Sequence, residues 1–162
     1  MRIRGGGSSG RPKTFKISRR YTQINADNKI KFTVEPESRR AEINQVTERI
    51  ITCVYRVSNT LGTGFLEKVY ENALAIELRQ NGLKVQQQHP IRVFYGDHPV
   101  GDFSADLLVE DCVIVELKAA RTLDEVHSAQ CLNYLKATGF KVSLLVNFGQ
   151  PRANVKRIVL DF

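Results

Sequence analysis

Residues 102–118 read DFSADLLVEDCVIVELK, and this stretch decides the fold. Two apolar runs rich in β-branched residues flank the acidic pair Glu110-Asp111, which predicts a β-hairpin. Asp106 lies on the first run, whereas Glu116 and Lys118 lie on the second. Because side chains alternate between the two faces of a strand, Glu116 and Lys118 share one face.

The register of this hairpin decides whether Asp106 joins the same face. A two-residue loop at Glu110-Asp111 would place Asp106 opposite Val115 and send the two carboxylates to opposite faces. A three-residue loop over 110–112 would place Asp106 opposite Glu116. That register aligns apolar residues on the reverse face, namely Ala105, Leu107 and Val109 with Leu117, Val115 and Val113. Because a slip of one residue reverses every side chain, burial of the apolar face favours the three-residue loop.

In the favoured register, Asp106, Glu116 and Lys118 converge on one side of an otherwise apolar sheet. Two adjacent ionised carboxylates repel one another, and a divalent cation with oxygen ligands offsets their charge. A lysine beside such a cation can stabilise negative charge on a phosphate or help to deprotonate a water. A charged, solvent-exposed face on an edge hairpin explains the same pattern without any chemistry. The D…ExK spacing alone does not separate the two interpretations.

Charge divides the chain into two parts. Its 162 residues, 42% of them hydrophobic, suit one soluble domain, and no apolar run is long enough to span a membrane. Residues 1–40 hold eleven Lys or Arg and three Asp or Glu, a net charge of +8, whereas residues 41–162 hold thirteen and fourteen, a net charge of −1. We therefore expect a basic, largely flexible arm over 1–40, with a short strand pattern at 29–34, and a folded domain over 41–162. The arm either contacts phosphates or serves only as a solubilising tail.

The cysteines and the first residues of the chain indicate the cellular compartment of the protein. Cys53, Cys112 and Cys131 lie at wide spacings in apolar segments, which favours buried reduced thiols over disulfides or a metal site. The three histidines are scattered, and we assign none of them to a metal. The opening MRIRGGGSSGR has positive charge but no apolar core behind it, so we expect no secretory signal, a cytoplasmic location and no membrane partner.

The remaining periodicity indicates an α/β fold. Apolar residues at steps of three and four predict a helix from about Ala41 to Leu61 and a second helix, with Thr63 as its N-cap, to about Asn81. Strands at 83–88 and 91–95 precede the hairpin, and a helix at 123–138, begun near Thr122 or Asp124, precedes strands at 141–146 and 155–160. Strands followed by a crossover helix and another strand predict a mixed central sheet flanked by helices.

Five motifs in order carry a resemblance to a known family. GFLEKVY at 64–70 contains Gly64, Glu67 and Tyr70, the residues that name the GxxExxY family. The match continues through SADLLVED (104–111), VIVELKA (113–119), AQCLNYLKATG (129–139) and LLVNFG (144–149), and it covers about residues 46–160. The chain thus resembles the GxxExxY family, whose core is similar to the PD-(D/E)xK nuclease superfamily. This resemblance implies a restriction-endonuclease-like αβββαβ core with an acidic site on the central strands.

The resemblance implies a role for each matching charged residue. Asp106 resembles the superfamily's metal-binding aspartate and Glu116 its second carboxylate. Lys118 resembles the catalytic lysine of the ExK element. The backbone carbonyl of Leu117 and the carboxylate of Glu67, which looks like the helical glutamate of exonuclease-type members, would complete the ligands of a Mg²⁺ or Mn²⁺ ion.

The same resemblance implies supporting roles for four further residues. Gln130 and Tyr134, at i and i+4 of one helix, resemble a Q-x3-Y signature that supports the site or touches substrate phosphate. Gly64 would let the start of its helix approach the sheet closely, and Tyr70 would pack, with its hydroxyl orienting a carboxylate. The sequence departs from the pattern in three places: Ala105 stands where the superfamily name has proline, and Ser58 and Thr63 stand where His and Pro are expected.

The implied function is Mg²⁺- or Mn²⁺-dependent hydrolysis of phosphodiester bonds, with DNA favoured over RNA by superfamily habit alone. No recognition helix or aromatic stacking platform stands out in the sequence. The alternative is a catalytically silent nucleic-acid-binding or protein-interaction module with the same fold, which the near-neutral charge of residues 41–162 favours. A homodimer or a larger complex could instead supply the positive surface that a nuclease needs.

Overall fold

A computed structural model describes residues 36–162 of the chain. The basic arm up to residue 35, with the strand pattern at 29–34, lies outside the described residues. The elements in chain order are α1 (Glu37–Leu61), α2 (Glu67–Gln80), β1 (Val85–Tyr95), β2 (His98–Val109), β3 (Val113–Lys118), α3 (Glu125–Thr138), β4 (Val142–Asn147) and β5 (Asn154–Val159). Residues 37–40, assigned to the arm from the sequence, are helical in α1.

The five strands form one mixed sheet in the order β1-β2-β3-β4-β5. The central pair β3 and β4 is parallel and is joined by the crossover helix α3, whereas every other neighbouring pair is antiparallel. The predicted α/β class, the mixed sheet and the αβββαβ order of the core are therefore confirmed.

Helices cover both faces of this sheet. On one face α1 and α2 pack through an apolar cluster that includes Ile50, Leu74 and Val115. On the other face α3 packs through a smaller cluster that includes Ile114 and Leu135. Full burial of one such side chain stabilises the fold by about 1.5–3 kcal/mol relative to its exposure. Because alternate residues of β3 belong to different clusters, burial on both faces fixes the position of this strand.

The N-terminus of α3 agrees with the sequence prediction, whereas that of α2 does not. Asp124 caps α3, because its side chain accepts a hydrogen bond from the Val126 N–H (3.0 Å). Of the two residues predicted to lie near this cap, Thr122 and Asp124, the structure thus selects Asp124. In contrast, α2 begins at Glu67 after Leu66 and has no side-chain cap. The prediction of Thr63 as N-cap is therefore wrong, since Thr63 lies in the preceding loop.

The central hairpin has the predicted register. Leu107 pairs with Val115 and Val109 pairs with Val113, which leaves a three-residue loop over 110–112. Beyond the first of these pairs, a side chain replaces backbone pairing: the N–H of Leu117 donates to Asp106 Oδ2 at 2.7 Å. Asp106 therefore lies beside the segment that carries Glu116, where β2 and β3 begin to separate.

The ribbon formed by β1 and β2 exchanges its faces at Gln88 and Asp106. Leu107 packs in the cluster under α1 and α2, whereas Ala105 and Ile91 pack in the cluster under α3. Gln88 has φ of 52°, and the register passes over the pair Gln88 and Asp106. Residues two apart in a regular strand share a face. The prediction that Ala105 packs beside Leu107 is wrong, because the left-handed backbone at Gln88 turns the ribbon over.

Candidate metal and catalytic site

Asp106, Glu116 and Lys118 meet where β2 and β3 separate. Asp106 is held through its Oδ2 by the Leu117 N–H, and Lys118 Nζ donates to Glu116 Oε1 at 3.1 Å. Burial raises the pKa of Glu116, and the negative charge of Asp106 adds to that rise. The structure thus brings together the two carboxylates and the lysine that the sequence placed on one face.

Glu116 is a buried carboxyl group with one unsatisfied oxygen. Only 4% of the residue is exposed; its Oε1 accepts from Lys118 and from Gln130, but its Oε2 is buried without a hydrogen-bond partner within residues 36–162. Burial and then the charge of Asp106 raise the pKa of Glu116 to about 7. The charge and hydrogen bond of Lys118, and then a hydrogen bond with the backbone of Asp106, act to lower this pKa, and burial outweighs them. An unpaired buried oxygen costs about 1–3 kcal/mol, so this atom is suited to a further ligand.

Asp106 and Lys118 carry the other two charges of the site. Burial raises the pKa of Asp106, while the Leu117 N–H and the charge of Lys118 act to lower it. Burial lowers the pKa of Lys118, but the neighbouring carboxylates, Glu116 first among them and Glu67 included, raise it overall above its usual value. Lys118 is therefore a cation at neutral pH.

Glu67 reaches the same region from the first turn of α2. A cavity of about 480 Å³ is lined by Glu67, Asp106 and Ala119 among others. Glu67 is exposed, and its Oε1 accepts from the Ala119 N–H at 3.3 Å. Within residues 36–162, no group of three or more Cys, His, Asp or Glu side chains has a geometry that could hold a metal ion. The carboxylate oxygens of this region belong to Asp106 and Glu116 on the strands and to Glu67 on α2, and of these three residues Glu67 and Asp106 line the cavity.

Glu71 is a residue of this region to which the sequence analysis gave no role. It is buried, and it accepts hydrogen bonds from Lys68 (2.7 Å) and Gln87 (3.0 Å) at Oε1 and from Gln88 (2.9 Å) at Oε2. The same Gln88 amide approaches Asp106 Oδ1 at 3.4 Å. Glu71 also lines the cavity, and its charge acts to raise the pKa of Asp106. Glu71 lies four residues after Glu67 and therefore on the same face of α2, and this spacing could have indicated its place in the site from the sequence.

Gln130 connects α3 to the site. Its Nε2 donates to Glu116 Oε1 at 3.1 Å and to the hydroxyl of Tyr134 at 2.8 Å. Tyr134 is itself buried in the cluster under α3. The pair predicted from the Q-x3-Y spacing therefore lies on one helix face, and Gln130 orients a carboxyl group of the site.

Tyr70 packs in the core as predicted, but its hydroxyl and Gly64 act differently from what the resemblance implied. Tyr70 is fully buried and stacks on Phe148 with 4.6 Å between ring centroids. Its hydroxyl donates to the Gly62 carbonyl at 2.9 Å and accepts from the Phe65 N–H at 3.3 Å. The prediction that this hydroxyl orients a carboxylate is wrong, because it closes the loop before α2. Gly64 has φ of 107° and open space where a Cβ would lie, so it serves the backbone conformation rather than a close approach.

Asn147 anchors the segment that follows Lys118, and the sequence analysis quoted it without giving it a role. Its Oδ1 accepts from the N–H groups of Ala120 and Gly149, both at 3.0 Å, and its Nδ2 donates to the Ala120 carbonyl at 2.8 Å. A Cβ at Gly149 would collide with the backbone of Ala120. The end of β4 thus fixes the chain directly beyond the ExK element.

Comparison with known proteins places this site in context. Residues 44–158 match a family model described as the PD-(D/E)XK nuclease superfamily. The crystal structure of SSO0001 is similar at 20% identity and a TM-score of 0.45, covering 75% of this chain and 61% of that one. The crystal structure of an alkaline exonuclease (LHK-Exo) from Laribacter hongkongensis is similar at 18% identity and a TM-score of 0.43, covering 79% and 72%. No curated protein matches the chain. Within residues 36–162, no helix combines the length and apolar character needed to cross a membrane.

Proposed function

The chain belongs to the PD-(D/E)XK nuclease superfamily, and on this premise we propose that it hydrolyses phosphodiester bonds in nucleic acid, with DNA favoured. Within the superfamily we propose the GxxExxY family, on the match of Gly64, Glu67 and Tyr70. One observation carries the proposal: Glu116 is a buried carboxyl group, one of whose oxygens has no hydrogen-bond partner among residues 36–162, and Asp106 and Lys118 lie beside it.

The donor set fits a divalent cation, as is typical of nucleases in this superfamily. Mg²⁺ and Mn²⁺ prefer oxygen ligands, and the unsatisfied Oε2 of Glu116 offers one that lacks any other partner among the described residues. Asp106 and Glu116 would hold the ion, with the carbonyl of Leu117 and the carboxylate of Glu67 completing its ligands. A bound ion would supply Lewis-acid stabilisation of the charge that develops on the phosphate.

The other residues of the site bind the substrate or orient the two carboxyl groups. Lys118 keeps its proton, so its ammonium group stabilises negative charge on the phosphate from a fixed position beside Glu116. The N–H of Leu117 orients Asp106, and the amide of Gln130 orients Glu116. Gln130 and Tyr134 are the proposed contacts for the substrate backbone.

A cleavage assay tests this proposal directly. Single- and double-stranded DNA and RNA are incubated with the full chain in Mg²⁺ or Mn²⁺ and with a chelator. We expect metal-dependent cleavage that falls by at least about 100-fold in Asp106→Ala and in Lys118→Ala. Glu48→Ala removes an exposed carboxylate from α1 and should retain the wild-type rate. Cleavage that survives in Asp106→Ala would refute the assignment of the site.

A catalytically silent module is the second candidate. The net charge of −1 over residues 41–162 favours it, because free-standing nucleases usually present a positive groove. Binding of nucleic acid without cleavage by the wild-type chain in either metal would support the module over the enzyme. Removal of residues 1–40, with measurement of how binding depends on salt, would test whether the arm supplies the phosphate contacts.

A further inference from the structure

A second concave surface lies on the opposite side of the site from the acidic cavity. The cleft has a volume of about 740 Å³ and runs between the distal half of the β1–β2 hairpin and α3. Its lining is mostly apolar and includes three aromatic rings, those of Phe94, Phe103 and Tyr134. Phe94 and Phe103 are 49% and 53% exposed, which is unusual for rings of this size. The size lies within the range of roughly 300–1,000 Å³ that is common for ligand sites.

The backbone of the hairpin builds this cleft. A β-bulge shifts the register between Val93 and Phe94, and both of these neighbouring residues contribute to the lining. In the partner strand, a Cβ at Gly101 would lie 2.9 Å from the ring of Phe103, so the glycine leaves room for that ring. No aromatic platform stands out in the sequence, and the three rings of this cleft come from three separate segments, β1, β2 and α3.

The cleft adjoins the carboxylate site. Gln130 and Tyr134 both line it, and the Gln130 amide that donates to Glu116 also donates to the Tyr134 hydroxyl. The Tyr134 ring lies 6.2 Å from that of Phe103, at an interplanar angle of 49°. A ligand that lies on these rings is therefore next to the proposed hydrolytic site.

The charges of the cleft suit a polyanion. Among the described residues, its lining includes Arg92 and Lys136 but no carboxylate. Lys136 is exposed and forms no ion pair within the part of the chain that the structure describes, while Arg92 pairs with the exposed Asp102 at 2.6 Å. The acidic cavity on the other side contains Glu67, Glu71 and Asp106 instead. A ligand that has flat apolar groups on a negatively charged backbone could stack on the rings of the cleft and pair with its cations.

We propose that this cleft binds the unpaired bases of single-stranded nucleic acid beside the carboxylate site. The proposal rests on the proposed function and specifies its substrate class. Bases within a duplex have both faces covered by their neighbours, so unpaired bases, unlike internal base pairs, are free to stack on Phe94 and Phe103. Such stacking is worth about 1–3 kcal/mol per base and tolerates any base, so the cleft confers preference for strandedness rather than sequence.

Binding without cleavage tests the proposal. A short fluorescein-labelled oligonucleotide, as single-stranded DNA, single-stranded RNA or duplex DNA, is titrated with the full chain in chelator and followed by anisotropy. We expect tighter binding of the single strands, weakened by about fivefold or more in Phe103→Ala and retained in Phe103→Trp. Ile76→Ala removes a comparably exposed apolar side chain (55%) from α2 and should bind as the wild type does. A 2-aminopurine in the strand should be quenched by the wild type and not by Phe103→Ala.

The outcomes separate this inference from the proposed function. Equal binding of single strands by wild type and Phe103→Ala overturns the cleft proposal, even where Asp106→Ala abolishes cleavage. If the wild-type chain cleaves none of the nucleic acids but its binding still depends on Phe103, the proposed function is overturned and the cleft remains a binding site. Light scattering provides the remaining arm: a wild-type dimer that becomes a monomer in Phe103→Ala would make the cleft a self-association surface and overturn the proposal.

Discussion

Replacing Glu116 by glutamine should remove a pH-dependent part of the stability of the metal-free protein. Burial, followed by the charge of Asp106, raises the pKa of Glu116 from 4.5 to about 7 in the folded state. The unfolded chain releases this proton near pH 4.5, whereas the folded chain holds it up to about pH 7. The stability that this group contributes is therefore fully present below pH 4.5 and is lost as pH rises through 7. At about 1.36 kcal/mol per pH unit, the interval corresponds to roughly 3 kcal/mol.

Chemical denaturation of the full chain in chelator, repeated between pH 4.5 and 7.5, measures this quantity. The free energy of unfolding of wild type relative to Glu116→Gln should fall by roughly 3 kcal/mol over that range. Glu48→Gln, which removes an exposed carboxylate on α1, is the matched control. If the curves of wild type and Glu116→Gln run parallel between pH 4.5 and 7, the buried carboxyl group does not hold its proton and the reasoning is refuted.

Three further predictions follow from the same contacts. Mg²⁺ at 100 times its dissociation constant should stabilise the wild type by about 2.7 kcal/mol, measured as a rise in Tm, and Asp106→Asn should abolish most of that rise. Asn147→Ala should lower the free energy of unfolding by about 2–4 kcal/mol, because it leaves the N–H groups of Ala120 and Gly149 unpaired; a loss under 1 kcal/mol would contradict this. Tyr70→Phe should cost about 1 kcal/mol and leave the cleavage rate unchanged, since within residues 36–162 the hydrogen-bond partners of its hydroxyl are backbone groups; a large fall in rate would restore a role at the site.

The register of the central hairpin could be predicted because burial constrains it from both sides. Leu107 and Val115 pack under α1 and α2, while Ile114 packs under α3. A slip of one residue would bring Asp106 into the first cluster and would expose apolar side chains. The location of Asp106 next to Glu116 follows from that constraint alone. The apolar pattern of a few residues was therefore sufficient to predict that the two carboxylates lie next to each other.

The exchange of faces at Gln88 could not be predicted, because no local signal marks it. Left-handed backbone is usual for glycine and tolerated by asparagine, whereas glutamine has no preference for it. The side chain of Gln88 is instead held by tertiary partners, donating to Glu71 on α2 and accepting from Ser104 on β2. Such contacts join residues 16 and 17 positions apart and exist only after the helix has docked.

The reversal at Gln88 also explains how one ribbon serves two surfaces. Leu107, Ala105 and Phe103 are all odd positions of β2, so in a regular strand they would lie on one face. Because the ribbon turns over, Leu107 lies under α1 and α2, while Phe103 faces Tyr134 of α3. Asp106 occupies the point of reversal, where it borders the acidic cavity and holds the amide of Leu117. An untwisted ribbon would direct Phe103 toward the face of α2 and leave the carboxylate site without an adjoining aromatic cleft. The strained residue in β1 therefore couples the proposed chemistry to the proposed recognition of unpaired bases.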